Sequence, residues 1–245
     1  MRTEYDAGVP DSLTDAVFTP IGLIRTPFPD KYGVPRQPGL VPSAIGRIEL
    51  SPHLSGAADE LEGCSHVWLL WWFHQVPDGA GRNKVRPPRL GGNRRKGVLG
   101  TRSPFRPNPI GLSVCCLRAV ERDRGRATIV VEGVDLVDKT PILDIKPYVP
   151  YVDRVEGATV DWVPAAPVLL PVRFAPDVSD WLASRSELRT LISEVLAQDP
   201  RPATHKLRPV TGGARTYAIR LQDFEIEWAV LAGEVVVSSV DLYTP

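Results

Sequence analysis

Proline and glycine interrupt this chain at short intervals, and that punctuation limits what it can fold into. The 245 residues include 25 prolines and 20 glycines, and proline lacks the backbone N–H that a helix interior needs. From Val17 onward, short β-rich segments alternate with these breaks: Phe18 to Ile24, Gly46 to Leu50, Val67 to Phe73, Gly97 to Gly100, Ile110 to Val120, Ala127 to Glu132 and Ile142 to Ile145. The rhythm predicts a mainly β barrel or sandwich rather than repeated βαβ units. A short helix is expected over Ala57 to Leu61. "VWLLWWF", Val67 to Phe73, lacks polar alternation. It is therefore expected to be a central strand covered on both faces, with its tryptophans in the core rather than on a base-stacking platform.

Met1 to Ala16 reads as a loose tail, residues 17–155 as the β unit and 156–245 as a smaller α+β unit, with prolines between Pro147 and Pro167 marking the connection. In the second unit Trp181, Leu182, Leu188, Leu191, Ile192, Val195 and Leu196 recur on a seven-residue rhythm. This predicts one amphipathic helix from Ser179 to Gln198, about five turns at 3.6 residues each, with Asp177 or Ser179 as N-cap. "QDPRP", Gln198 to Pro202, ends it. Strands are expected over Arg215 to Leu221, Glu225 to Leu231 and Glu234 to Leu242, the last two joined through "AGE" as a hairpin.

With 43% hydrophobic residues the chain can build one large or two modest cores. Three cysteines, Cys64, Cys115 and Cys116, form an odd set with an adjacent pair. That suits neither a secreted disulfide framework nor a zinc site, and they are read as reduced thiols. The polar, acidic start does not resemble a secretory signal. The longest apolar run, Val67 to Phe73, falls far short of the roughly 20 residues a bilayer span needs. A cytoplasmic protein with no membrane partner is expected. His53, His66, His74 and His205 lack metal-like spacing. There is no phosphate loop, dinucleotide fingerprint or nucleophile elbow.

Charge is balanced in sum but not in placement. Lys and Arg total 29, as do Asp and Glu, yet no acid occurs from Gly79 to Val120, where Arg82, Lys84, Arg86, Arg89, Arg94, Arg95, Lys96, Arg102 and Arg106 follow one another. Cations among Gly and Pro belong to irregular loops with available N–H groups, and the arginine fork grips carboxylates and phosphates at two points. The run predicts an anionic partner; a loop kept basic for solubility is the competing reading. RNA or a small anion suits it better than DNA, since no helix-turn-helix or zinc-finger pattern is present. Elsewhere, polar side chains are locked between prolines or at strand ends: Arg36 and Gln37 between Pro35 and Pro38, His74 and Gln75 after the apolar strand, and Asp135, Asp138, Asp144, Lys146 and Tyr148 in "GVDLVDKTPILDIKPY".

In sequence order, "IGLIRTPF", "PRQPGLVPSAIGRIEL", "LEGCSHVWLLWWFHQ", "VRPPRLGGNRRKGVLGTRSPFRPNPIGLS" and "GVDLVDKTPILDIKPYVPY" resemble the successive motifs of the TsaA/TrmO-like methyltransferases, covering Phe18 to about Asp153. "QDPRP" and "YAIRLQDFEIEW" resemble the family's C-terminal extension more loosely. The resemblance implies a small antiparallel β-barrel that binds S-adenosylmethionine, a homodimer with cofactor pockets near the subunit contact, and methyl transfer to N6 of threonylcarbamoyladenosine beside the tRNA anticodon. It places cofactor contacts on Pro35, Arg36, Gln37, His74, Gln75, Arg102, Leu112, Asp135, Leu136, Val137 and Asp138. The acceptor nitrogen is a poor nucleophile, so His74 and Asp138 are the candidate bases. Arg102 or Arg106 is expected to pair with the threonyl carboxylate, and Arg94, Arg95 and Lys96 with tRNA phosphates, Asn108 completing the substrate contacts. A non-catalytic RNA-binding barrel and a methyltransferase with a small-molecule acceptor are the alternatives.

Overall fold

The computed structural model of the protein describes residues 17–77, 79–91, 94–163, 165–206 and 215–244; the tail expected over Met1 to Ala16 lies outside them. Eight strands make up the first unit: β1 (Gly22–Arg25), β2 (Ile45–Leu50), β3 (His66–Trp72), β4 (Lys84–Val85), β5 (Lys96–Gly97), β6 (Ile110–Asp123), β7 (Arg126–Glu132) and β8 (Thr140–Pro147). Six of them close into an antiparallel barrel in the order β1-β2-β7-β6-β3-β8. Closure removes the unpaired edges that an open sheet of this size would expose. β4 and β5 pair with each other as a small ribbon inside the cationic run.

Several sequence expectations are corrected. β1 starts only at Gly22, after Pro20. The segment expected as a strand from Gly97 to Gly100 turns instead through a 3₁₀ helix over Val98–Gly100. The helix expected near Ala57 is two 3₁₀ turns, Pro52–Ala58 and Leu61–Gly63, separated by Glu60 at φ 65°. β3 is central but covered on one side only. Val67, Leu69 and Trp71 are buried, whereas Trp72 is 40% exposed. A barrel has an inside and an outside, so a strand without polar alternation still shows period-two burial. The outward residues continue across β6, where Leu70 faces Leu112 and Trp72 faces Ile110; Ile110 and Leu112 are 37% and 53% exposed.

The strand register also brings Trp71 opposite Gly111. A Cβ at position 111 would stand 2.2 Å from the Trp71 ring. Glycine is therefore required here for space, not for backbone conformation.

After α1 (Pro150–Asp153) the chain crosses to a four-stranded sheet of order β10-β11-β12-β9, formed by β9 (Val172–Phe174), β10 (Thr216–Leu221), β11 (Phe224–Leu231) and β12 (Glu234–Leu242). β9, absent from the sequence reading, pairs parallel to β12. Ala232 and Gly233, at φ 50° and 86°, close the β11–β12 hairpin, a two-residue turn whose twist suits the strands.

The single helix expected over Ser179 to Gln198 is two, α2 (Pro176–Trp181) and α3 (Ser186–Ala197). Pro176, pre-set at the helix start, moves the N-cap to Ala175. At the break Arg185 donates to the freed Trp181 carbonyl at 2.7 Å and lies 4.0 Å from the Trp181 ring centroid. The apolar rhythm survives the break: Leu182, Leu188, Leu191, Ile192, Val195 and Leu196 are all buried. A short α4 (Ala203–Lys206) follows.

The two units meet through the loop before β2. Glu194 of α3 accepts from the Ser43 N–H at 2.9 Å and the Ser43 hydroxyl at 2.7 Å, and Gln198 donates to the Leu40 carbonyl at 3.0 Å. Gly33, at φ +90°, lies against Leu221, Ile219 and Val195.

Gly111→Ala is expected to cost about 3 kcal/mol in denaturant unfolding, by forcing the indole out of its place. Gly63→Ala, whose added Cβ meets nothing within 4 Å, should cost less than about 1 kcal/mol in the same measurement.

Candidate active site

A groove of about 3320 Å³ is bounded by the loop carrying Pro35 to Pro38, the end of β3, the cationic loops and the linker residues Thr159 to Val163 and Ala165 to Val168. Small-ligand pockets typically enclose about 300–1,000 Å³, so this groove has room for a small ligand and for part of a macromolecule.

The cationic loop is built by short hydroxyl-to-backbone bonds rather than by regular structure. Thr101 Oγ1 donates to the Val98 carbonyl at 2.7 Å and accepts from the Ser103 N–H at 3.2 Å, and Ser103 Oγ accepts from the Phe105 N–H at 3.3 Å. Such local bonds hold a loop that proline has excluded from helix and sheet. Arg106 donates to the Thr101 carbonyl at 3.2 Å, Arg82 lies 5.2 Å from the Phe105 ring centroid, and Arg102 donates to Gln37 Oε1. The linker is tied to the same loop: Arg89 donates to the Ala165 carbonyl, and Lys96 sits 5.9 Å from the Trp162 ring centroid.

Among these cations Asp135 stands in the groove wall. Its Oδ1 accepts from Ser113 Oγ at 2.6 Å, and Ser113 Oγ in turn accepts from Trp71 Nε1 at 3.0 Å. Burial pushes the Asp135 carboxyl up to about 6, against the downward pull of the Ser113 hydroxyl and the Arg102 charge. Burial likewise pushes the thiol of neighbouring Cys115 far up, with the Asp135 charge adding to it. Two polar side chains are buried among the described residues, Ser113 and Thr140. Both serve one segment, since Thr140 Oγ1 donates to the Val137 carbonyl at 2.7 Å.

Of the residues singled out from sequence, Pro35, Arg36, Gln37, His74, Gln75, Arg102, Leu112, Asp135 and Val137 line the groove, together with Arg95, Arg106 and Asn108. Four stand apart from it. Leu136 is buried in the barrel core, where its carbonyl accepts from Thr26 Oγ1 at 2.9 Å. Asp138 accepts from the Thr26 N–H at 3.0 Å and faces Arg25 at 3.8 Å, fastening β1 to the turn before β8 rather than lining the groove. Arg94 is exposed outside the lining, and Lys96 is held against Trp162. Sequence reasoning missed Trp71 and Ser113, and also the contribution of the second unit. There Asp199 and Lys206 line the groove, with Asp199 paired to Arg201 at 2.8 Å and to Lys206 at 3.1 Å. The available signal for Ser113 was a lone hydroxyl inside the apolar strand "IGLSVCCL".

Residues 23–154 match the tRNA-methyltransferase O N-terminal domain, and residues 167–242 match the TrmO C-terminal domain. The chain belongs to the tRNA-methyltransferase O family. Within that family it is 45% identical over 220 residues to the tRNA (adenine(37)-N6)-methyltransferase of Escherichia coli, spanning 87% of this chain and 92% of that one. It is 44% identical over 217 residues to a putative S-adenosylmethionine-dependent methyltransferase, RcsF, of Pseudomonas aeruginosa, spanning 86% and 90%. The crystal structure of TrmO from Pseudomonas aeruginosa superposes with a TM-score of 0.73 at 35% identity, covering 93% of this chain and 99% of that one.

The raised Asp135 pKa sets a stability prediction. A carboxyl whose folded pKa lies above its unfolded value favours the folded state below pH 3.8, and that contribution is lost as pH rises to about 6. Asp135→Asn stays neutral throughout and can still accept from Ser113. In urea unfolding without ligand it should therefore match the natural protein near pH 4 and exceed it at pH 7.5 by on the order of 1–3 kcal/mol.

Proposed function

We infer that the protein is an S-adenosylmethionine-dependent methyltransferase acting on N6 of adenosine 37 of tRNA. The observation that carries this reading is the match of both family domains, in order, at 45% identity to the Escherichia coli enzyme over 87% of the chain. A non-catalytic adaptor would not need a half-buried acid in the wall of a groove rich in cations.

The groove residues suit the cofactor. Its sulfonium and ammonium charges require an acid, which Asp135 offers; its carboxylate requires cations, which Arg36 and Arg102 offer; Leu112 and Val137 add apolar surface. Bound there, S-adenosylmethionine supplies a methyl group activated by positively charged sulfur. The chain's own work is positioning, because in-line displacement depends on alignment of the reacting atoms. His74, half-buried at the exit of β3 with its backbone N–H on the Trp72 carbonyl at 2.8 Å, is the residue proposed to take the N6 proton. Arg106, anchored through one nitrogen on Thr101, keeps donors for a carboxylate, and we assign it the threonyl group of a threonylcarbamoylated base. Arg95 and Asn108 at the groove surface are assigned to the tRNA backbone.

The outward apolar row of Trp72, Ile110 and Leu112 forms part of the same groove's wall. The exposure of this apolar row supports a homodimer that would cover it, with a contact adjoining the cofactor site. Among the described residues no helix is long and apolar enough to cross a membrane; a tRNA substrate favours the cytoplasm.

Purified protein should transfer labelled methyl from S-adenosylmethionine to threonylcarbamoylated tRNA and not to tRNA lacking that group; equal labelling of both would remove the modified base from the proposal. Arg106→Ala should lower turnover at least about tenfold while changing cofactor affinity less than about threefold, and tRNA affinity should drop steeply as salt rises. In sedimentation, the natural chain should run as a dimer and Leu112→Glu as a monomer; a monomeric natural chain would refute the dimer.

A further inference from the structure

We propose that Ser113, directed by Trp71, is a positioning residue that holds Asp135 as an ionised acceptor for the cationic end of the methyl donor. The inference rests on the groove being the S-adenosylmethionine site and assigns work to two residues that do not carry the chemistry themselves.

The direction of the hydrogen bonds is fixed by chemistry. An indole N–H can only donate, whereas a serine hydroxyl has one proton and accepting lone pairs. Trp71 Nε1 lies 3.0 Å from Ser113 Oγ, so that oxygen is an acceptor toward the indole, and its proton is left for Asp135 Oδ1 at 2.6 Å. Ser113 is fully buried, so water does not compete for either bond. A hydroxyl donating to a carboxylate favours the charged form, and the short distance is typical of a charge-assisted bond. The indole can reach Ser113 because Gly111, two residues earlier on the same strand, leaves the ring its space. Thus Gly111 and Ser113 serve one purpose, the placement and use of the Trp71 ring.

An ionised Asp135 is unusual in its surroundings. The other acids lining the groove are Asp161, exposed on the linker, and Asp199, paired with Arg201 and Lys206. Asp135 is therefore the acid that the barrel wall itself contributes, and it is the one whose charge the fold must defend against burial. The groups acting on it are the Ser113 hydroxyl, its own backbone N–H and the Arg102 guanidinium, while its charge in turn acts on the Cys115 thiol of β6. Arg102 also favours the charged form but is exposed and donates to Gln37, so its effect is softened by solvent. Ser113 is the buried and directional contribution.

The test is calorimetric affinity for S-adenosylmethionine from pH 5 to 8.5. For the natural protein, affinity should be level above pH of about 6 and fall roughly tenfold per unit below it. In Ser113→Ala the acid limb should move up by about one pH unit, with affinity at pH 8.5 recovering to within about threefold. Trp71→Phe, which keeps a ring over Gly111, should move the limb in the same direction by less. Asp135→Asn should bind weakly with no acid limb. A Ser113→Ala protein that loses affinity equally at every pH has lost only packing, and the relay is then wrong although the groove reading stands. Undiminished affinity of Asp135→Asn at all pH values would sink both. The ligand-free Ser113→Ala protein supplies an independent readout: the pH range over which its stability falls should shift upward in step with the binding limb, and an unshifted range would overturn the proposal.

Discussion

The indole of Trp71 occupies the space that a side chain at position 111 would fill, and the groove wall is organised around that contact. Trp71 and Gly111 face each other across β3 and β6, the two strands between which the cationic loops run. Inside, the ring packs edge-on against Phe73 with centroids 4.3 Å apart. At its nitrogen it supplies the polar contact that ends in Asp135. A single residue therefore joins the packing of the core to the charge of the site, which is why core and site cannot be varied independently here.

The cationic run gains its meaning from that one acid. Arginines and lysines without nearby carboxylates form a field that attracts anions, and a low-dielectric wall strengthens it. The same field would repel a cationic ligand unless one negative group were set within it. In the proposed cofactor site Asp135 serves as such a group, and the Gln37–Arg102 bond keeps the Arg102 guanidinium partly occupied. The C-terminal unit contributes by support as well as by lining. Glu194 and Gln198 hold the loop at Ser43 and Leu40, and that loop is the continuation of the prolines flanking Arg36 and Gln37.

Much of the barrel was legible because proline and glycine mark where strands stop, and six of the segments read from sequence became barrel strands with shifted ends. β3 was read as covered on both faces because absent polar alternation has two physical causes: burial on both sides, or an apolar seam awaiting a partner. Sequence does not separate them; the exposure of Trp72 and Leu112 does. The helix break at Arg185 was hidden because the apolar rhythm continues through it, the two helices packing on one core. β9 has three residues, too few to show a period. In the site, Asp135 and Asp138 carry the same side chain three positions apart. Only the fold shows that one enters the groove wall while the other caps Thr26. Ser113 showed in sequence only as a lone hydroxyl in an apolar strand, because its importance lies in what it touches across the sheet.

Keeping a carboxylate in this wall opposes folding at neutral pH, since burial raises its pKa to about 6 while the unfolded chain ionises freely at lower pH. The barrel can tolerate the cost because its closed strands and shared core supply stability elsewhere. A cation bound beside Asp135 reverses the sign: the charge that destabilised the empty fold becomes the ligand's partner, and binding lowers the carboxyl pKa again. Ligand binding and folding stability are thereby linked through one side chain. The stabilisation brought by the methyl donor should accordingly be larger than its contacts with neutral groups would provide, and it should be greatest in the pH range where the free protein carries the buried charge.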